Sequence, residues 1–344
     1  MRILFVGDLN KYGRSFQRYR TLRALGHDIT GVSMFPVSSE AGVKQSSISV
    51  RLAWKLGFPL DETGANETIK KAVEKDKFDV VWIEKGNTIH PATLRHVRRK
   101  LPAASLVSCS EDDMYAWHNR SFYYTLGLKY YDVVFTTKTY NLEKLKRLGA
   151  HRTELFLDAH DETLHHPMEL SADDRRKYGC DVGFIGTFEK ERALSILYLA
   201  QHGIRVVIWG NGWGRWMDKH PNVVVKNTPI YGEEYVKAIN ATKINLCFLR
   251  KMNRDETTSR SVEIPACSGF MLAERTKRHL EFFKDGKEAV FFSSPNELLV
   301  LARHYLADAV ACAHIGTAGR ARCLASGYDM QTQLSSIIAR SGGL

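Results

Sequence analysis

Short apolar runs, each followed by a stretch with helical spacing, recur almost from one end of this chain to the other. In the first half the runs are Arg2–Val6, Asp28–Met34, Phe78–Ile83, Ala104–Ser108 and Asp132–Thr136. Helical patterns cover Arg14–Leu25, Glu67–Lys75, Pro91–Lys100 and Tyr140–Leu148. Runs this uniformly apolar are buried on both faces, and the helices between them return the chain to the same edge. The pattern therefore predicts an α/β fold with parallel sheets covered on both sides. The polar stretch 158–178 breaks the alternation and reads as a linker. Alternation then resumes with strands at Cys180–Ile185, Arg205–Trp209, Asn222–Val225, Ile244–Leu249, Phe270–Ala273 and Ala289–Phe292, helices at Glu189–Gln201, Gly232–Ala241 and Asn296–Ala307, and a mostly helical tail broken near Gly327.

Two domains suit a length of 344 residues. The chain is 44% hydrophobic and 25% charged, which is ordinary for a globular protein. Its apolar runs are too short to span a bilayer, and Met1–Asp8 reads as a first strand rather than a signal peptide. The expectation is a cytoplasmic protein, with the inner face of the membrane as a further location. Six scattered cysteines form no C-x-x-C pair and are most simply core thiols. The net charge of +11 attracts anions. The cluster Arg95–Lys100 reads first as a solvated helix face, next as a contact with anionic membrane, and last as a nucleic-acid contact. No nucleic-acid partner is expected.

In parallel sheets of this kind ligands bind beyond the carboxyl ends of strands, so the loops after strands are where chemistry belongs. The loop after the first strand holds Gly7, Asp8, Tyr12, Gly13 and Arg14 and leads into a helix. It fits an acceptor or phosphate loop, or an ordinary turn, and matches neither the dinucleotide fingerprint nor a P-loop. Glu84 and Lys85 follow another strand, as do Asp112 and, soon after, His118. Acids and a histidine at strand ends can orient an acceptor hydroxyl or act as a base. In the second half, Gly186 and Thr187 end a strand, and Lys190 and Arg192 open the next helix, where basic residues favour a bound phosphate. Gly210 and Gly212 bracket Asn211 in a turn that also suits a nucleobase lying against backbone. His165 and His166 have no third ligand at metal-binding spacing, so no metal is expected.

The densest chemistry lies in NRDETTSRSVEIPACSGFMLAE, residues 253–274, just after Arg250. Asp255 and Glu263 stand eight positions apart, with Thr258, Arg260 and Ser261 between them. Acid, hydroxyls, arginine and a second acid between two buried strands suit a ligand bearing both hydroxyls and phosphates, such as a nucleotide sugar. Glu263 is the candidate for the ribose hydroxyls, and Arg260 with the neighbouring hydroxyls for the diphosphate. If the segment were helical throughout, the two acids would lie within about 80° of one another; Pro265 argues for loop or a first helical turn.

DVGFIGTFEKER, the NRDETT stretch and AGRARCL resemble the CgeB-type glycosyltransferases, named for a spore-maturation protein. The likeness is dense from about Asp181 to Tyr328 and thinner in the first half, where SCSEDDM and DVVFTTKTYNLEKLKRLGA carry it. The resemblance implies a GT-B fold: two Rossmann-like parallel-sheet domains facing a cleft, with the C-terminal helix crossing back to the first domain. Residues 1–160 with 328–344 would bind the acceptor, and residues 175–327 the nucleotide sugar. The wider retaining GT-B enzymes carry E-x7-E. Here Asp255 replaces the first glutamate, and the second acid falls on Glu263. Their diphosphate-holding arginine and lysine, five residues apart, fall here on Thr187 and Arg192.

The expected function is transfer of a sugar, with retention and without a metal or other cofactor, from a nucleotide-diphosphate donor to a hydroxyl acceptor. A UDP-sugar is the expected donor and a glycan a natural acceptor. Asp255, Asp112 and His118 are the catalytic candidates. The alternatives are another GT-B enzyme, such as a nucleotide-sugar epimerase, or a non-catalytic nucleotide- or glycan-binding protein.

Overall fold

A computed structural model describes residues 1–36 and 47–341. The chain divides into two compact units. One comprises the described residues of Met1–Leu157 and Met330–Leu344, the other Asp158–Asp329.

Unit 1 holds six parallel strands: β1 (Arg2–Gly7), β2 (Asp28–Ser33), β3 (Val80–Glu84), β4 (Ser105–Ser110), β5 (Val133–Thr136) and β6 (Thr153–Leu155). Their order is β2-β1-β3-β4-β5-β6. The central strands are apolar because both faces are covered: every residue of β3 is buried. The chain steps from β1 to one side and then to the other, so the switch point lies between β1 and β3, and the loops after those strands flank it.

Unit 2 holds β7 (Cys180–Ile185), β8 (Val206–Trp209), β9 (Val223–Val225), β10 (Thr242–Cys247), β11 (Met271–Glu274) and β12 (Val290–Phe292), again all parallel. Read from the other edge, β9-β8-β7-β10-β11-β12 is the 3-2-1-4-5-6 order of a dinucleotide-binding sheet. The switch point lies between β7 and β10. It is flanked by the loop before the helix Lys190–Gln201 and by the segment leading to the helix Arg260–Ala266.

The C-terminal helix Met330–Ser341 belongs to unit 1, as expected of a helix that crosses back. It packs on the helix Arg14–Ala24. Arg340 donates to Glu154 (2.8 Å) and to Leu155 O, while Ser105 donates to Ser341 O at 2.6 Å. Residues 342–344 of the expected segment lie outside the described residues.

The linker reading of 158–178 is corrected. Asp158, His160, Asp161 and His165 are buried in unit 2, where Asp158 accepts from Thr257 (2.6 Å) and Asp161 from Thr163. The stretch then forms the helix Ala172–Tyr178, started by a Ser171–Asp174 capping box. Its polar residues bond to one another and to distant loops, a pattern that sequence periodicity does not display. The helices Ile48–Lys55, Phe122–Gly127 and Lys277–Phe282 and the short edge strand β6 were likewise not anticipated. Among the described residues no single helix is long and apolar enough to cross a membrane. One bent pair, Pro295–Ala307 with Ala309–Ala325, passes that test only when taken together.

Candidate functional site

In unit 2 the residues after β7 and β10 converge on one aromatic ring. The Phe184 side chain is fully buried, and the guanidinium carbons of Arg192 and Arg260 stand 5.5 and 5.8 Å from its centroid. Each contact is a cation–π arrangement. Arg192 is only 4% exposed. It donates to Thr187 O (2.9 Å) and Leu249 O (3.3 Å), and pairs with Glu189 (3.3 Å). Burial, with the Arg260 cation next, lowers its guanidinium to about 10. The Nε of each arginine is buried without a hydrogen-bond partner among the described residues. Two adjacent cations with unfilled donors make a seat for an anion.

The flanking loops are fixed by backbone contacts. Gly186 N–H donates to Trp209 O (2.8 Å), and the Trp213 indole N–H donates to Gly186 O (2.9 Å). A side chain on Gly210 would come within 2.1 Å of Gly186 O, so glycine is needed there for two strand ends to approach. Gly212 has φ +84°. Thr187 and Lys190 are exposed, and Arg250 pairs with Glu189 at 2.9 Å.

The segment 253–266 is helical only from Arg260, so the uniform helix considered for Asp255 and Glu263 does not form. Residues 250–255 turn on themselves instead: Asp255 N–H donates to Arg250 O, Asn253 donates to the Asp255 carboxylate (2.6 Å), and Arg254 takes φ +49°. Ser261 lies in the interior. Its hydroxyl accepts from Thr258 N–H (3.1 Å) and donates to His279 Nε2 (2.7 Å), because His279 Nδ1 faces Glu274 O and must carry the proton. Burial pushes His279 down to about 4, so the ring is neutral. The Ser261 hydroxyl is thus engaged within the protein.

Glu263, the candidate for the ribose hydroxyls, is only 6% exposed. Its Oε2 accepts from the Tyr235 hydroxyl at 2.7 Å, and burial together with this carboxylate raises the phenol well above its ordinary value. His165 Nε2 lies 4.0 Å from Oε1. His165 Nδ1 accepts from Asp161 N–H, which leaves the neutral ring's proton on Nε2, facing the glutamate. Neither Tyr235 nor His165 was singled out for this role, since nothing local in the sequence joins them to Glu263.

Unit 1 carries a cavity of about 480 Å³ at the ends of β1, β3 and β4. Asp8, Arg14, Glu84, Lys85 and Asp112 line it. Gly7, Tyr12, Gly13 and His118 are not part of its wall. His118 sits in a 3-10 turn edge-on to Trp117. Glu84 forms the floor: it accepts from buried Arg18 twice (2.8 and 2.6 Å) and from the Trp82 indole (2.8 Å). Glu111 joins Arg18 (2.7 Å) to Arg14 (3.0 Å). Burial works to raise the Glu111 carboxyl, but Arg14 and Arg18 outweigh it and hold the group far below the usual range. Burial likewise opposes ionisation of Asp112, and the Lys85 ammonium paired with it prevails. The wall therefore has four carboxylates, Asp8, Glu84, Glu111 and Asp112, against three cations, Arg14, Arg18 and Lys85. Phe35 and Trp54, both well exposed, add an aromatic side that sequence reasoning missed. Among the described residues no group of three or more His, Cys, Asp or Glu is placed to hold a metal ion.

Residues 190–339 match the family model for glycosyl transferase-like proteins. No curated protein matches the chain. Among solved structures the chain is similar to Anabaena HepE in complex with UDP-glucose, with 13% identity, a TM-score of 0.68 and full coverage of both chains. It is also similar to sucrose-phosphate synthase from Thermosynechococcus elongatus, with 14% identity, a TM-score of 0.67, and 99% of this chain and 98% of that one covered. An α-glucosyltransferase in complex with UDP and a mismatched 13-mer DNA gives 13% identity, a TM-score of 0.64 and 99% coverage of each chain. The fold is that of the GT-B structures.

Proposed function

We propose that this protein transfers a sugar from a nucleoside-diphosphate donor to a hydroxyl acceptor. The observation that carries the reading is the pair of guanidiniums on Phe184 at the switch point of the second sheet. In the reaction the bond from the anomeric carbon to the diphosphate oxygen breaks, and a bond to the acceptor oxygen forms. Negative charge gathers on the departing diphosphate, and Arg192 and Arg260 are preorganised to meet it. The bound anion also relieves the repulsion between the two cations. Glu263, oriented by Tyr235, holds the ribose hydroxyls, and Asp255 those of the sugar. UDP-sugars are the favoured donors, since HepE and the α-glucosyltransferase hold UDP-glucose and UDP.

The cavity of unit 1 takes the acceptor. Its cations are already matched by carboxylates, which leaves no surplus charge for a phosphate. Carboxylates hydrogen-bond hydroxyls, and the exposed Trp54 and Phe35 offer faces for a sugar ring. A glycan or another neutral polyol fits best. Asp112 is ion-paired to Lys85 and His118 lies outside the wall, so neither is favoured as a dedicated base. That supports retention: the acceptor arrives on the face the diphosphate leaves, and a diphosphate oxygen takes its proton. The sequence likeness to CgeB-type enzymes points the same way. A cytoplasmic setting, where nucleotide sugars are made, completes the reading.

Calorimetric titration with UDP, GDP, ADP and TDP tests the donor site, and proton NMR of the first product from a UDP-sugar tests the chemistry. Binding of one nucleoside diphosphate, with release of it during turnover and an unchanged anomeric coupling, is expected. If no nucleoside diphosphate binds, the donor assignment fails. An inverted anomer moves the catalytic centre to a base in unit 1.

A further inference from the structure

The helix Ile48–Lys55 of unit 1 has no buried residue. Ile48, Leu52 and Leu56 recur at every fourth position and so share one face, and they are 76%, 55% and 62% exposed. The chain then runs through Gly57 and Phe58 onto the helix Phe122–Gly127. Phe122 N–H donates to Gly57 O at 2.8 Å, and the rings of Phe58 and Phe122 stack at 4.9 Å. Phe58, Phe122 and Leu126 are themselves exposed, and Trp117, in the turn just before, is 79% exposed. Two segments distant in sequence thus meet at the Phe58–Phe122 stack, each bringing exposed apolar side chains. Exposed apolar side chains gathered in this way mark an interaction site.

Charge identifies what covers it. Residues 47–60 and 114–131 contain no Asp or Glu, but they contain Arg51, Lys55, Arg120 and Lys129. The helix Pro91–Lys100 packs against Phe122–Gly127, where Leu94 meets Gly127, and adds the exposed Arg95, Arg99 and Lys100. A second copy of this surface would set like charges against one another. An anionic bilayer accepts both parts: apolar side chains enter the headgroup boundary, tryptophan sits at its level, and the long basic side chains reach lipid phosphates.

We infer that this surface of unit 1 docks on an anionic lipid bilayer. The basic cluster Arg95–Lys100 supplies attraction, and the apolar face of Ile48–Leu56 with Phe122, Leu126 and Trp117 supplies insertion. The same short helix carries Trp54 in the wall of the unit 1 cavity, so docking holds that wall near the lipid surface. The inference uses none of the residues around Phe184 and stands apart from the transferase reading.

Co-sedimentation of the full chain with phosphatidylcholine vesicles, and with equimolar phosphatidylcholine and phosphatidylglycerol vesicles, tests it. The protein pellets with the anionic vesicles and much less with the neutral ones. Leu52→Glu and Trp117→Ala each weaken vesicle binding about ten-fold, the scale of one apolar side chain withdrawn from lipid. Their unfolding midpoints stay at the wild-type value, because both side chains are exposed and neither substitution opens a core cavity. Equal binding to neutral and anionic vesicles overturns the proposal, as does wild-type affinity in both variants. Dimerisation in sedimentation velocity that Leu52→Glu abolishes, with no vesicle binding, assigns the surface to a second copy and also overturns it.

Discussion

The guanidiniums of Arg192 and Arg260 share one aromatic ring, 5.5 and 5.8 Å from the centroid of Phe184. They differ in how firmly the protein holds them. Arg192 is buried and tied to the carbonyls of Thr187 and Leu249, whereas Arg260 is partly exposed. Arg260→Ala is therefore the cleaner test of the diphosphate seat. It should weaken UDP binding about ten-fold or more while the thermal midpoint stays near wild type. Arg192→Ala should lower both affinity and stability, because two interior carbonyls lose their donor. Arg192→Lys should not restore either, since an ammonium cannot span both carbonyls. Wild-type kcat/KM in both alanine variants would remove the pair from the mechanism.

Glu263 separates a binding role from a packing role. Glu263→Gln keeps an acceptor for Tyr235 and should leave the fold intact while nucleotide affinity falls. Glu263→Ala strands the buried Tyr235 hydroxyl and should also cost about 1–3 kcal/mol of stability. Paired calorimetry and chemical denaturation read the two effects. Unchanged nucleotide affinity in the glutamine variant assigns Glu263 to the interior alone.

The cavity of unit 1 predicts an effect confined to the acceptor. Trp54→Ala and Asp8→Asn should raise the acceptor KM and leave UDP affinity unchanged. The measurement is initial-rate kinetics with acceptor varied at saturating donor. A matching loss of UDP affinity would place these residues with the donor.

Chelation gives a simple contrast. With arginines carrying the leaving-group charge, turnover should persist in EDTA. An activity abolished by EDTA and restored by a divalent ion would show that the two cations are insufficient.

Acid should weaken the second unit before it weakens ordinary carboxylate pairs. His160 and His279 are buried, and each is lowered from 6.5 to about 4, chiefly by burial. Both ring nitrogens of His160 lack a hydrogen-bond partner among the described residues. The unfolded chain takes up protons near 6.5 while the folded one does not, so this stability is present above 6.5 and is lost as pH falls toward 4. Each histidine contributes about 3 kcal/mol to that loss. Urea midpoints measured across this window should fall steadily, and His279→Gln should flatten the slope. A flat wild-type profile between 6.5 and 4 would contradict the buried neutral state.

The sequence by itself determined the two parallel sheets, because short, mostly apolar runs such as β3 alternate with helical patterns along the chain, and that alternation is visible locally. It also marked the loops that matter, since Gly186, Arg192, Arg260 and Glu263 follow β7 and β10, and chain order alone puts the ends of strands where ligands bind. The tertiary structure decided what each of those side chains can do. Glu263 is buried against Tyr235, and Ser261 is engaged by His279. Glu84 is fixed by Arg18, and the stretch 158–178 is part of a domain rather than a linker. These are contacts between residues far apart in the chain, made by polar groups whose partners leave no periodic trace. The apolar surface around Phe58 and Phe122 is of the same kind: its two parts are far apart in the chain, and only folding stacks the two rings and leaves their apolar neighbours exposed.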